Sequence, residues 1–407
     1  MKILFLSLLF EREKEDFYKK KVRGMIQNAS NTFQYAVLDG FYENQTLADI
    51  FLINSLPVGT FGSGYDELFL KESPFVYEGK DIGVTISCIN LPVLKQFTRY
   101  KNVCKQLTKY IEQNRNEDIK IITYNVYEPY IHACSKIKKK YKNIEICPII
   151  TDLPGQFGIL PKAWWKRIYV LHAAKKIFKY LKSADRYVFL TELMKVPLGV
   201  DKDYIVMEGI YSNIDGVNNS VVAAEPSNKK IILYTGVLNR EYGILTLLDA
   251  FDKIPQKDIE LWICGGIGEV EEVKRRAERD QRIKFYGNVP RKQAIEYQRK
   301  ASLLINPRPN RGEFVKYSFP SKTMEYLSSG RPVLMYKLAG IPHEYDIYLN
   351  YIPEYTPESM KDSILNILYG DYDMYLTKAA RGREFVLKTK NSKAQAKRIL
   401  DFLSATE

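Results

Sequence analysis

Long apolar runs are missing from this chain. The first candidate, "MKILFLSLLFEREKED", is apolar only from Ile3 to Phe10, ends in charge and has no small-residue cleavage site after it. A membrane-crossing helix needs about 20 apolar residues, so this stretch is expected to be a buried first β-strand and any membrane contact to be peripheral. Histidine is scarce: His132, His172 and His343 form no metal-ligand set. The five cysteines (Cys88, Cys104, Cys134, Cys147, Cys264) are scattered without zinc-site spacing, which reads as a reduced, cytosolic compartment. No Asp-x-Asp motif stands at the carboxyl end of an expected strand, so a metal-bound diphosphate is not signalled, and no metal or cofactor is expected. Internal repeats and low-complexity tracts are absent as well.

What is there is enough for two cores. The chain has 407 residues, 45% of them hydrophobic and 13% aromatic, which suits two domains rather than one. Its formal charge of +13 favours anionic partners: nucleic acid, an acidic membrane surface or phosphate-bearing substrates. The thirty tyrosines count as much toward packing as toward binding.

Short apolar strands alternate with amphipathic helices, the rhythm of doubly wound parallel sheets. Strands are expected near Ile3–Leu9, Ile50–Asn54, Ile82–Ser87, Ile119–Thr123, Glu145–Ile150, Arg186–Leu190 and Tyr204–Met207, with clear helices at Val93–Gln113 and Glu128–Tyr141. The pattern lapses in the Asn-, Ser- and Gly-rich segment 208–230 and restarts at Ile231–Thr235, Ile259–Cys264, Ile283–Tyr286, Ser302–Ile305, Pro332–Tyr336 and Tyr348–Ile352. From Met360 onward the chain reads as helix throughout. The expected division is an N-terminal domain 1–210, a linker 211–229, a second domain 230–385, and a C-terminal helix 386–407 that packs back on the first domain. Ligands of open α/β sheets collect at the carboxyl edge of the strands.

One helix carries the chemistry. "YSFPSKTMEYLSSGRPVL" (317–334) places Pro320, Thr323, Met324 and Leu327 on an apolar face, with Ser318, Ser321, Lys322, Glu325 and Ser329 opposite. Pro320 is tolerated in the first turn. Free amides at that end attract anions and Lys322 adds a full charge. Glu325, a turn further in, can accept two hydrogen bonds from a vicinal diol. Phosphate at the helix start and ribose on the carboxylate together describe a nucleotide diphosphate. The competing reading is a surface Lys322–Glu325 pair one turn apart.

These landmarks, with "YTGVLNREYGILTLLDAF" (234–251), "LWICGGIGE" (261–269) and "IKFYGNVPRKQAIEYQRKASLLINPR" (283–308), resemble the group 1 retaining glycosyltransferases, glycosyltransferase family 4, of bacterial capsule and exopolysaccharide type. The resemblance covers roughly 204–352. It implies an α/β GT-B architecture of two doubly wound Rossmann-like domains facing a cleft. Glu325 matches the second glutamate of the family's E-x7-E pair, which holds the ribose. Tyr317 stands where the first glutamate, the sugar contact, would be. The family's loop arginine and lysine are replaced by Val237 and Tyr242, leaving Lys322, Arg308 and Arg240, in that order, as candidates for the diphosphate. Gly236 fits the tight turn beside the pyrophosphate, and Gly265 with Gly266 the region beside the base; all three also read as plain turns. "IITDLPGQF" (149–157) looks like the family's strand ending in His-Asp, with Thr151 for the histidine. Asp152 then faces the acceptor or transferred sugar, or caps an Asx-turn. The catalytic positions are therefore Asp152 and Tyr317. The donor set is Gly236, Arg240, Gly265, Arg308, Ser318, Pro320, Ser321, Lys322 and Glu325. "VGTFGSGYDE" (58–67) is placed over the acceptor, with no Walker-type Gly-Lys-Ser after it.

Segment 162–182 carries seven basic residues and no acidic one, beside Trp164 and Trp165. With Lys166 and Arg167 these read as a membrane-facing patch on an anionic surface, or as a surface helix with Ile168, Leu171 and Phe178 packed on the sheet. The implied function is sugar transfer from a nucleotide-diphosphosugar, UDP first, to a lipid-linked or polysaccharide acceptor at the inner face of the cell membrane. A GT-B-like subunit without turnover is the alternative, a nucleotide-sugar epimerase lacks an evident acid/base set, and nucleic-acid binding leaves the 318–329 helix unexplained.

Overall fold

The run KILFLS becomes β1 (Lys2–Ser7), buried from Ile3 onward. A strand without polar alternation belongs in the middle of a parallel sheet, and β1 pairs in parallel with a neighbour on each side. The computed structural model describes residues 1–23, 28–44, 50–154, 164–212 and 229–405. They form two compact units: residues 1–212 with 391–407, and residues 213–390.

Unit 1 continues with β2 (Ile50–Asn54), β3 (Phe69–Leu70), β4 (Ser73–Tyr77), β5 (Lys80–Thr85), β6 (Cys88–Ile89), β7 (Ile119–Tyr124), β8 (Ile144–Ile150), β9 (Tyr187–Phe189) and β10 (Tyr204–Val206). Eight of these strands form one sheet in the order β10-β9-β8-β7-β1-β2-β5-β4. All pairings in it are parallel except β4 with β5. That edge hairpin turns on Glu78 and Gly79 with φ of 48° and 74°; the Glu-Gly pair is its local signal, and the strand reading passed over it. The short antiparallel ladder of β3 with β6 was missed as well. Helices Leu94–Gln113 and Glu128–Lys140 fall within a residue of expectation.

Unit 2 holds β11 (Lys230–Thr235), β12 (Ile259–Cys264), β13 (Ile283–Gly287), β14 (Leu303–Asn306), β15 (Val333–Met335) and β16 (Asn350–Tyr351). They make one parallel sheet in the order β13-β12-β11-β14-β15-β16. The chain moves outward from β11 on one side, then returns to build the other side from β14. The carboxyl ends of β11 and β14 are therefore the switch point where a crevice opens.

The tail is not one continuous helix. Asp371 accepts a hydrogen bond from the Met374 amide and Asn391 from the Ala394 amide, so each starts a new helix. Helices Pro357–Tyr369 and Tyr372–Thr389 belong to unit 2, whereas Ser392–Ser404 belongs to unit 1. The last helix packs on Asn28–Asn44, where a Cβ on Gly40 would lie 2.1 Å from the Ser392 carbonyl oxygen. Ala396, Ile399, Leu400 and Leu403 thereby join the core around Ile3, Phe5 and Phe41. No described helix is long and apolar enough to cross a membrane.

Candidate functional site

The unit 2 switch point is built from two glycine turns, one arginine and the start of one helix. After β11 the chain passes through Gly236, whose amide bonds the Cys264 carbonyl at 2.9 Å. Gly265 follows β12 so closely that a Cβ on it would stand 2.1 Å from the Gly236 carbonyl oxygen. Gly265 is thus required by the approach of two backbones, a structural demand that operates whether or not a base lies beside it.

The helix Ser321–Ser328 follows Pro320 and is shorter than the three turns expected. Thr323, Met324, Tyr326 and Leu327 are its buried side. Tyr326 was not picked from the sequence, yet it fastens the helix to the strand edge. Its hydroxyl accepts from the Thr235 amide at 2.8 Å and lies 3.1 Å from Thr235 Oγ1. The helix is thereby held, by its second half, against the end of β11, just before Gly236. Its first amides are the unbonded donors of any helix start.

Ser318 and Arg308 are brought together: the guanidinium donates to Ser318 Oγ at 2.9 Å. Arg308 also lies 5.3 Å over the Tyr242 ring. A cation thus occupies the ring face of the residue that replaces the family's loop lysine. Burial pulls the Arg308 pKa below the ordinary arginine value, with Tyr242 and Tyr234 opposing. Arginine remains charged regardless.

Lys322 and Glu325 meet at 2.9 Å, with side chains 37% and 20% exposed. Gln298, buried on the neighbouring helix, donates to the same Glu325 oxygen. Burial pushes the Glu325 carboxyl up, but Lys322, Gln298 and Arg291 outweigh it and hold it below the usual glutamate range. The carboxylate is therefore ionised and oriented. Gln298 carries no sequence signal, because only the tertiary packing brings it to Glu325.

Ser321 is exposed and Pro320 buried at the helix start. Arg240 stands apart from this group: its side chain is 71% exposed and lies 3.5 Å from Glu269. Tyr317 is half-buried, and its hydroxyl donates to Glu313 Oε2 at 3.4 Å. Glu313 was not singled out from the sequence, although its spacing four residues before Tyr317 allows this contact.

In unit 1, Asp152 is exposed just beyond the carboxyl end of β8. Thr151 donates to it at 3.1 Å and Asn125 at 3.3 Å. Asn125 itself follows β7 with a φ of 58°. Residues 155–157 of the same motif lie outside the described residues, as do the side chains of Trp164, Trp165, Lys166 and Arg167. The helix that carries those four runs Trp164–Leu181 and packs on Glu128–Lys140, where Tyr180 stacks on His132 at 4.2 Å.

Residues 218–383 match the family described as glycosyl transferases group 1. A search of curated protein sequences finds no significant match. Among solved structures, the chain is similar to sucrose-phosphate synthase from Thermosynechococcus elongatus, at TM-score 0.61 and 16% identity, covering 99% of this chain and 98% of that one. It is similar to HepE from Anabaena in complex with UDP, at TM-score 0.61 and 14% identity over 100% of both chains. A third is the trehalose-6-phosphate protein from E. coli bound with UDP-2-fluoro glucose, at TM-score 0.62 and 12% identity, covering 100% and 99%. At such identities the likeness is one of fold, the two-domain GT-B architecture. The second half of the chain thus carries the match to group 1 glycosyl transferases, and the chain as a whole the GT-B fold.

Proposed function

We propose that this protein is a glycosyltransferase that takes a hexosyl group from a UDP-linked donor and passes it, with retention, to a lipid-linked or saccharide acceptor in surface polysaccharide synthesis. The observation that carries the donor reading is the oriented Glu325 carboxylate one turn inside a helix that Tyr326 ties to the end of β11. Glu325 accepts the ribose diol, while Lys322, Arg308 and the first helix amides meet the diphosphate. Two of the solved structures similar in fold hold UDP or a UDP-sugar, which supports uridine as the base.

In the proposed step the bond between the anomeric carbon and the β-phosphate oxygen breaks, leaving UDP. The acceptor oxygen forms its bond on the same face, and its proton passes to the departing phosphate oxygen. Lys322 and Arg308 stabilise the charge that develops there, as fixed cations do, and no metal is assigned a part. Tyr317 and Asp152 are the proposed contacts to the transferred sugar and acceptor. The basic face of 162–182 is the proposed contact with the inner face of an anionic membrane.

Saturation-transfer NMR with UDP-, GDP- and dTDP-sugars tests the donor reading. Signal from a UDP-sugar, weakened at least tenfold in affinity by Glu325→Ala, is the expected result; a lost charge-assisted hydrogen bond is worth about 1.5–3 kcal/mol. Silence from every donor, or full binding by the variant, overturns the assignment of Glu325. Slow release of free sugar in the same tube reads turnover.

A further inference from the structure

A cavity of about 440 Å³ opens in unit 1 between the loops after β1 and β2, the Leu94–Gln113 helix and Tyr127. Its lining includes Arg23, Lys95 and Arg99 but no carboxylate. Lys95 and Arg99, one helical turn apart, are only 6% and 3% exposed. Lys95 donates to the Val58 carbonyl and, at 3.2 Å, to that of Gly59. Arg99 donates to the Leu56 carbonyl and, at 2.7 Å, to the Tyr127 hydroxyl, which donates in turn to Gln96. Arg23 is held at the exposed side by Asp66 at 2.6 Å and the Gly62 carbonyl at 2.7 Å.

Two like charges buried within one turn, met only by neutral dipoles, are costly to the fold. Burial, with Arg99 adding, lowers the Lys95 pKa from 10.5 to about 8. Such an arrangement persists where an anion completes it, and arginine beside lysine suits a phosphate in particular. The glycine-rich stretch 58–67 forms one wall: Gly59 and Gly64 pack so tightly that a Cβ on either would stand 2.6 Å from the other's Cα.

The rest of the lining is largely apolar: Leu8, Phe10, Val22, Pro57 and Val58 stand around the same hollow as the cations. Val93 holds a φ of 67°, a strained conformation for a β-branched residue. Apolar side chains lining one hollow together with buried cations match a ligand with a charged head and a hydrocarbon body.

We propose that this cavity receives the phosphate or diphosphate of an amphiphilic acceptor, whose hydrocarbon lies against Leu8, Phe10, Val22 and Pro57. The proposal deepens the acceptor side of the function proposed above and rests on that reading for the acceptor role; anion binding itself is separable from it.

Isothermal titration of the full chain with octyl phosphate below its micellar concentration, with inorganic phosphate and with 1-octanol tests it. Octyl phosphate is expected to bind saturably and at least tenfold more tightly than inorganic phosphate, and octanol not at all. Lys95→Met and Arg99→Met are each expected to weaken octyl phosphate at least tenfold, with Lys95→Arg retaining it. Native near-ultraviolet circular dichroism and a cooperative urea transition report that the variants are folded throughout, unit 1 included, and Glu325→Ala is expected to leave octyl phosphate binding intact. No saturable binding, or binding that folded Lys95→Met keeps, overturns the site. Equal affinity for inorganic phosphate overturns the amphiphile and identifies a free phosphorylated solute as the source of the anion.

Discussion

Tyr326 shows how one hydroxyl connects packing to the donor side of the site. It accepts from the Thr235 amide inside the unit 2 core. Tyr326→Phe leaves that buried amide without its acceptor, a loss of about 1–3 kcal/mol. The expected outcome is a lower urea midpoint at unchanged slope, together with weaker UDP binding as the Gly236 turn loosens; unchanged values for both remove Tyr326 from the site's support. Glu325 was singled out from the sequence either as a ribose acceptor or as the partner of Lys322, and the fold forms the second of these contacts at 2.9 Å. Arg308 was legible only as one of several loop cations; its bond to Ser318 and its place over Tyr242 come from the fold. Gln298 was invisible, since nothing local marks a buried glutamine that answers a carboxylate on another helix.

Elements were easier to read than side chains where they were apolar and central. β2 and β12 match expectation to the residue, because uniform hydrophobic runs between turn signals leave little freedom. The edge strand β4 was lost because Ser73 and Pro74 interrupt its pattern, and an edge tolerates both. The tail was read as continuous helix because its breaks are made by side-chain caps at Asp371 and Asn391 rather than by proline. Gly40 gives this scale its test. Gly40→Val sets new atoms against the Ser392 carbonyl, so the last helix must shift or detach. A loss of about 1–3 kcal/mol is expected from overpacking, with faster amide exchange in residues 392–404 than in unit 2. Uniform exchange throughout would mean that the crossing adapts.

For the whole molecule, the charge of +13 includes two cations buried a turn apart, Lys95 and Arg99, in the lining of the unit 1 cavity. A lysine whose folded pKa lies below its unfolded value penalises the fold fully at pH below about 8, and the penalty fades as pH rises toward 10.5. Lys95→Met is therefore expected to be more stable than the native chain at pH 7, by up to roughly 3 kcal/mol for a shift of that size. The gap should narrow between pH 8 and 10.5 in paired urea titrations; a gap that widens would contradict a buried, unneutralised ammonium. The return of the last helix to unit 1 bears on biosynthesis. Residues 1–212 cannot close their core until Ser392–Ser404 have emerged from the ribosome, whereas residues 213–390 are complete before then. The half synthesised second can thus finish folding first, and the nascent first half stays exposed to chaperones and proteases until that helix has been made.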